Sequence, residues 1–113
     1  MSDCIFCKIA DKQIPANVIY EDDRILCFHD ITPQAPAHAL LIPKKHIASI
    51  DDVALEDQDL MGYIIVKVKE IAQALGLENG YRVVNNCGED GMQTVPHIHF
   101  HILGKRKMAW PPG

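Results

Sequence analysis

The chain has 113 residues and a formal net charge of -4 at pH 7, which suits one domain with one hydrophobic core. Hydrophobic residues make up 48% of it and charged residues 23%, as in ordinary soluble globular proteins, so a disordered or fibrous chain is excluded. An acidic protein lacks the basic stripe that attracts a nucleic-acid backbone. The basic clusters Lys44-Lys45 and Lys105-Arg106-Lys107 are short, and we expect no nucleic-acid partner.

No apolar stretch approaches the roughly 20 residues that a membrane-spanning helix needs, so no membrane partner is expected. The segment Met1-Ser2-Asp3-Cys4 lacks the basic and apolar parts of a secretory signal, which favours a cytoplasmic protein. In that reducing compartment the four cysteines are expected to be thiols or metal ligands rather than disulfides.

The predicted elements begin with strands over residues 17–21 and 24–29, which are rich in Val, Ile, Leu and Phe and are joined by a tight turn at Asp22-Asp23. A third strand over residues 38–43 follows a proline-rich loop over residues 32–36. The order of these strands, one helix and then more strands indicates an α+β fold with a mainly antiparallel sheet.

One long helix is predicted over residues 55–75, with Gly76 as its C-cap. Its apolar residues recur at spacings of three and four, which is typical of an amphipathic helix: Leu60, Met61, Ile64, Ile65, Val68, Ile71, Ala72 and Leu75. The apolar band is wide, so we expect one side to pack on a sheet and another on a partner subunit.

Two further strands are predicted over residues 81–85 and 97–103, separated by a polar loop with two glycines at residues 86–91. The second strand reads His97-Ile98-His99-Phe100-His101-Ile102-Leu103, and its alternation places all three histidines on one face, about 6.6 Å apart. Three neighbouring imidazoles are costly for stability, because they repel when protonated and each needs a partner. A functional role is therefore favoured over a polar surface strand.

The histidines themselves leave two roles open. They could present ligands to a metal ion, or one could attack a phosphorus atom while a neighbour donates a proton. The preceding loop favours phosphate, because it is rich in hydrogen-bond donors: Asn86, Gly88, Gly91, Gln93 and Thr94.

The segment over residues 97–103 matches the signature His-φ-His-φ-His-φ-φ, with φ apolar, of the histidine triad (HIT) family. Residues 28–38, 42–46 and the C-terminal residues from Gly104 onward also resemble its Hint-like branch. This resemblance covers nearly the whole chain, and it implies a single HIT domain over residues 1–113. The implied fold is a five-stranded antiparallel sheet with one long helix that forms a two-fold homodimer.

The resemblance implies a nucleoside phosphoramidase, which hydrolyses purine nucleotides such as AMP or GMP derivatives linked through phosphorus to an amine. A nucleotidyl-histidine intermediate would form on the way. The sequence poorly separates this activity from dinucleoside polyphosphate hydrolysis. A non-catalytic nucleotide-binding regulator or adaptor is a further alternative, against which the complete triad argues.

By the same resemblance His99 would be the nucleophile, His101 would contact the phosphate and protonate the leaving group, and His38 would orient them. Asn86 and Thr94 would bind phosphate oxygens.

Asp30 would bind the ribose hydroxyls, although the local sequence is equally typical of a turn residue. Four residues would line the base pocket, and the residues alone would place them in the core: Phe6, Ile9, Phe28 and Ile31.

The chain departs from the Hint pattern at three positions. In the loop over residues 86–94, which we call the phosphate loop, Met92 stands where a second glycine is usual. We therefore expect a phosphate to approach that backbone less closely. Pro96 removes one backbone donor ahead of the triad. Thr94 replaces the usual serine and keeps the hydroxyl.

Cys4-Ile5-Phe6-Cys7 is a Cys-x-x-Cys pattern, which is compatible with zinc, redox chemistry or two buried thiols. The resemblance implies a structural zinc site completed by His46 and His97. The chemistry itself would require no cofactor.

Overall fold

The structure, a computed structural model, describes residues 3–113. Five antiparallel strands form one sheet in the order β1-β2-β3-β5-β4. They are β1 (Val18–Glu21), β2 (Ile25–His29), β3 (Ala37–Pro43), β4 (Tyr81–Val84) and β5 (Phe100–Gly104). The helices are α1 (Ile5–Ala10) and α2 (Gln58–Ala74). The predicted α+β fold with one long helix is confirmed.

The boundaries of the long helix differ from the prediction at its start. Residues 50–57 form two short 3-10 turns, Ile50–Asp52 and Leu55–Asp57, and the carboxylate of Asp57 accepts a hydrogen bond from the backbone N–H of Ala54 at 2.9 Å. The helix therefore begins at Gln58. At the other end Gly76 has a φ of 73°, the left-handed conformation expected just after a helix.

Two apolar layers cover the two faces of the sheet. On one face α2 contributes Ile64, Val68 and Ile71 to a core that includes Leu41 and Ile102. On the other face α1 contributes Phe6 and Ile9, which pack with alternate strand residues: Leu26, Phe28, Leu40 and Ile42. Since side chains alternate along a strand, His38 and His101 lie on the face that carries α1. Neither helix within residues 3–113 combines the length and apolarity of a membrane span.

Residues 97–103, which we call the histidine segment, form a strand only in part. Strand β5 begins at Phe100, and its pairing with β4 ends where Val84 lies opposite His101. Before that point Pro96 has no N–H to donate, and the N–H of Ile98 instead reaches the carbonyl of Ile47 at 2.6 Å. The predicted alternation nevertheless holds for the apolar residues, because Ile98, Phe100 and Ile102 are all buried in the α2-side core.

Helix α1 was not predicted, since its six residues are too few to show a helical period. It begins after Cys4, whose Sγ accepts a hydrogen bond from the N–H of Cys7 at 3.3 Å. This short helix matters because it carries both an apolar wall and two thiols to the edge of the histidine segment.

Candidate active site

The ring of His99 has a tautomer set by the backbone. Its Nδ1 lies 2.8 Å from the carbonyl oxygen of His97, and a carbonyl only accepts hydrogen bonds. Nδ1 therefore carries the proton, and Nε2 keeps a free lone pair. The Phe6 ring meets the imidazole edge-on at 5.1 Å between centroids, and His99 is only 4% exposed, so the ring has little freedom to turn.

A second chain of hydrogen bonds sets the tautomers of His38 and His101. The backbone N–H of Gln34 donates to Nδ1 of His38 at 3.0 Å, so His38 must carry its proton on Nε2. That Nε2 lies 2.9 Å from Nδ1 of His101, which leaves the His101 proton on Nε2. The buried Nε2 of His101 has no hydrogen-bond partner among residues 3–113. A lone pair and an N–H donor thus lie on neighbouring rings, 5.1 Å apart between centroids.

Burial keeps the side chains of His38 and His101 uncharged. It lowers the pKa of His101 to about 4, with a further decrease from the neighbouring His99 and His38 and an opposing effect of Asp30. Burial also lowers the pKa of His38, against the attraction of Asp30, whose Oδ2 lies 3.5 Å from His38 Nε2. The donor that His101 offers at neutral pH is therefore a neutral imidazole.

Asp30, which follows β2, both stabilises a turn and lines a cavity. Its Oδ1 accepts hydrogen bonds from the backbone N–H and the hydroxyl of Thr32, at 2.8 and 3.1 Å, which is the turn role considered from the sequence. The residue also lines an apolar cavity of about 180 Å³. Five of the predicted nucleotide-binding residues share this cavity: Phe6, Ile9, Phe28, Asp30 and Ile31.

The other two predicted binding residues lie elsewhere. Thr94 lines a separate cavity of about 360 Å³ beside Cys4 and His46. The Nδ2 of Asn86 lies 3.5 Å from the carbonyl of Met92, across the loop that joins β4 to the histidine segment. The structure therefore brings neither residue into the apolar cavity.

Two details of that loop were not visible in the sequence. The side-chain amide of Gln93, counted among the loop's donors, is used internally: its Nε2 donates to the carbonyl of Ala48 at 2.7 Å and its Oε1 accepts from the N–H of Gly88 at 3.2 Å. Met92 has a φ of 60°, a conformation that favours glycine. Met92 thus adopts a left-handed backbone conformation that a glycine would reach at lower cost.

A second cluster joins α1 to the histidine segment. The ligand atoms of Cys4, Cys7, His46 and His97 all lie within 4.8 Å of one another. Nδ1 of His97 is 3.3 Å from Cys4 Sγ, 3.6 Å from Cys7 Sγ and 3.2 Å from His46 Nδ1. Ligands of a tetrahedral zinc ion are separated by about 3.3–3.8 Å, given its usual bond lengths, and the pairs that include a nitrogen by about 3.3–3.6 Å.

The chemistry of these donors also fits a metal ion. Nε2 of His97 lies 2.8 Å from the carbonyl of Pro43 and must donate to it, so Nδ1 presents a lone pair to the thiols. Burial raises the pKa of Cys7 to about 11, and the adjacent Cys4 adds to this increase. A cation would compensate for the unfavourable charge of the thiolate.

The group of Asp30, His38 and His101 also lies within 4.8 Å, but its hydrogen bonds are different. The Gln34 N–H occupies Nδ1 of His38, so Nε2 carries a proton and has no lone pair for a metal. This group is therefore suited to donate a hydrogen bond from His38 Nε2 to His101, with Asp30 as a nearby negative charge, whereas the cysteine group is suited to a metal.

Two of the contacts that build the site were missed in the sequence. The Gln34 contact uses a backbone N–H, which leaves no signature in the choice of residue. Asn85 donates to the carbonyl of His99 at 2.9 Å, and its only signal is that a polar residue ends a predicted strand. Neither could be assigned before the chain segments were placed in space.

A five-stranded antiparallel sheet with one long helix, carrying paired histidines of complementary tautomer on one face, defines the class of histidine triad domains. Residues 11–108 match the family model of the HIT domain. The chain therefore belongs to the HIT family.

Three similar proteins illustrate this membership. An uncharacterized HIT-like protein of Synechococcus elongatus is 51% identical over 98% of this chain and 97% of its own length. The crystal structure of a HIT family hydrolase from Legionella pneumophila has a TM-score of 0.96 and 56% identity, covering 98% of this chain and 100% of the other. A histidine triad nucleotide-binding protein from Candida albicans has a TM-score of 0.83 and 34% identity, covering 96% of this chain and 83% of the other.

The lowered pKa of His101 predicts a loss of stability in acid. Its pKa rises from about 4 in the folded chain to its ordinary value of 6.5 on unfolding. Between these values the unfolded state binds more protons, so the free energy of unfolding falls as pH decreases from 6.5 to 4. The free energy of unfolding, measured by urea denaturation at several pH values in this range, should depend less steeply on pH in His101→Asn than in the wild type. An identical slope in His101→Asn would contradict this assignment, and His29→Asn, at an exposed histidine, is the control.

Proposed function

We propose that this protein is a nucleotide hydrolase that cleaves purine nucleoside phosphoramidates through a nucleotidyl intermediate on His99. The observation that carries the proposal is the pair of complementary tautomers, with a lone pair on Nε2 of His99 and an N–H on Nε2 of His101. A displacement at phosphorus uses both, the lone pair to attack and the N–H donor to assist departure of the leaving group. The names of the Legionella hydrolase and the Candida nucleotide-binding protein support the same class of reaction.

The substrate binds with its base in the apolar cavity and its ribose hydroxyls on the carboxylate of Asp30. Asn86 and Thr94, on the loop between β4 and β5, hold the phosphate oxygens. The cavity offers Phe6 and Phe28, whose rings meet edge-on at 5.7 Å between centroids, as apolar walls for a purine. The reacting phosphorus then faces the histidine pair.

The reaction proceeds in two displacements. Nε2 of His99 attacks phosphorus and the bond to the amine breaks. The Nε2–H of His101 stabilises the departing nitrogen by a hydrogen bond while a water molecule protonates it. The resulting hydroxide attacks phosphorus and breaks its bond to His99. His38 remains hydrogen-bonded to His101 throughout and holds its ring in the required orientation.

Removal of the nucleophile tests this proposal most directly. With an adenosine phosphoramidate that carries a fluorescent amine, we expect turnover by the wild type and a decrease of at least about 10³-fold in His99→Ala. Thermal unfolding of both proteins controls for misfolding.

Full activity in His99→Ala would rule out the mechanism. No turnover by the folded wild type would overturn the phosphoramidase assignment; cleavage of a dinucleoside polyphosphate would then support that alternative, and tight AMP binding without cleavage would support a binding protein. Trapping of a phosphorus-linked histidine would separate catalysis from binding.

We also propose that Cys4, Cys7, His46 and His97 hold a structural zinc ion. When bound, the ion supplies a cross-link between α1 and the sheet and takes no part in the chemistry. The support is the donor set, the separations of 3.2–3.6 Å around His97 Nδ1 and the Pro43 carbonyl that orients this ring.

Substitution of one ligand tests the metal site. The wild type purified with zinc should contain about one ion per chain, and Cys7→Ser should lose it and unfold at a lower temperature, because a bound ion stabilises the folded state. Cys87→Ser, at a cysteine outside the cluster, is the matched control. Elemental analysis checks metal content, and equal content in wild type and Cys7→Ser would refute the ligand set.

A homodimer is the third part of the proposal. Strand β4 lies at the edge of the sheet, and its residues Tyr81 and Val83 are 41% and 39% exposed. On α2, Ile65 and Val66 are 58% and 62% exposed. Such exposed apolar residues favour an interface, and β4 and α2 are the elements through which we propose that two copies meet.

Sedimentation equilibrium tests the dimer. The wild type should have twice the mass of the chain, and Val83→Lys should shift it towards the monomer, because a charge would be buried at the interface. Ile31→Lys, an exposed apolar residue on the loop between β2 and β3, should leave the mass unchanged. A monomeric wild type at high concentration would eliminate this proposal.

A further inference from the structure

The backbone of His99 is held by a side chain at the point where the sheet ends. The β4–β5 pairing stops at Val84 and His101, because the chain leaves the sheet to form the loop that follows. The Nδ2 of Asn85, the next residue after β4, donates to the carbonyl oxygen of His99 at 2.9 Å. A side-chain amide thus extends the connection between the two strands by one contact, and it does so at the proposed nucleophile.

The other half of this amide is unfavourably placed. Asn85 Oδ1 is buried and has no hydrogen-bond partner among the residues described. Turning the amide over would place Oδ1 against the His99 carbonyl, so its orientation follows from its partner. A buried polar atom without a partner is destabilising. The benefit of an asparagine here therefore lies in the bond from Nδ2 to His99.

That bond joins two parts of the proposed reaction centre. Asn85 directly precedes Asn86, the proposed phosphate ligand, and it contacts His99, the proposed nucleophile. His99 also contacts His97 through its Nδ1 and the rings of Phe6 and His101, and none of these contacts reaches the phosphate loop. Asn85 therefore controls the separation between the loop and the attacking ring.

We infer that Asn85 is a positioning residue for the nucleophile, an assignment that rests on the proposed function. It touches no substrate and acts through His99, holding it at a set distance from the phosphate-binding loop. Because small displacements of reacting groups slow an enzyme strongly, its loss should reduce kcat. Substrate binding should change little, since Asn85 does not line the nucleotide cavity.

The test is Asn85→Leu, which has a similar size and removes both the donor and the unpaired oxygen. We expect kcat, normalised to the fraction of protein that binds AMP, to fall roughly 10- to 100-fold with unchanged AMP affinity. The melting temperature should change little, because the substitution removes one unpaired acceptor, Asn85 Oδ1, and leaves another, the His99 carbonyl, without its donor. Asn79→Leu, at an exposed asparagine, is the matched control, and Asn85→Ala serves as a second variant if Asn85→Leu does not fold.

A second measurement needs no substrate. The ¹⁵N relaxation of the His99 ring reports whether the ring keeps one position, and we expect a rigid ring in the wild type and exchange broadening in Asn85→Leu. If the wild type does not cleave the phosphoramidate but the variant shows this broadening, the proposed function fails and the positioning role stands. Unchanged kcat in an active enzyme, or an unchanged His99 ring signal in an inactive one, would overturn the role of Asn85.

Discussion

The hydrogen bond between Nδ1 of His99 and the carbonyl of His97, at 2.8 Å, is the constraint on which the site depends. It makes one ring nitrogen a donor and leaves the other as a lone pair, a result that burial alone would not produce. Three neighbouring contacts keep Nδ1 of His99 and the His97 carbonyl in position. Phe6 limits rotation of the ring, Asn85 holds the following carbonyl, and the contact between Ile98 N–H and the Ile47 carbonyl holds the peptide between the two histidines.

His97 takes part in two sites, one through its backbone carbonyl and the other through its ring, and its position in the triad does not reveal this. Its carbonyl sets the tautomer of His99, while its ring turns the other way towards Cys4 and Cys7. Between those cysteines Phe6 lies against the rings of both His97 and His99, at 5.9 and 5.1 Å between centroids. Phe6 therefore connects the cysteine cluster, the apolar cavity and the proposed nucleophile by direct contact.

His38 and His101 are compatible with stability because they are neutral and hydrogen-bonded in series. Gln34 donates to His38, and His38 donates to His101, so no ring needs a charge to satisfy its neighbour. The same burial lowers the pKa of His101 and makes the folded state sensitive to acid. One donor, on Nε2 of His101, is left for a ligand, and it adjoins the lone pair of His99.

The sequence determined the class of fold, because the alternation of residues 97–103 and the long helical period after residue 58 are local patterns. It also identified the triad and the two thiols of the proposed metal site, but assigned His46 and His97 to that site only by resemblance. Tertiary structure decided which way each histidine turns, the contact of Asn85 with His99, and the separate positions of Thr94 and the apolar cavity. These depend on backbone carbonyls and on residues up to 93 positions apart, as in the Cys4–His97 contact. A backbone carbonyl is the same at every residue, and a contact across the fold has no local period, so the order of amino acids carries no direct record of either.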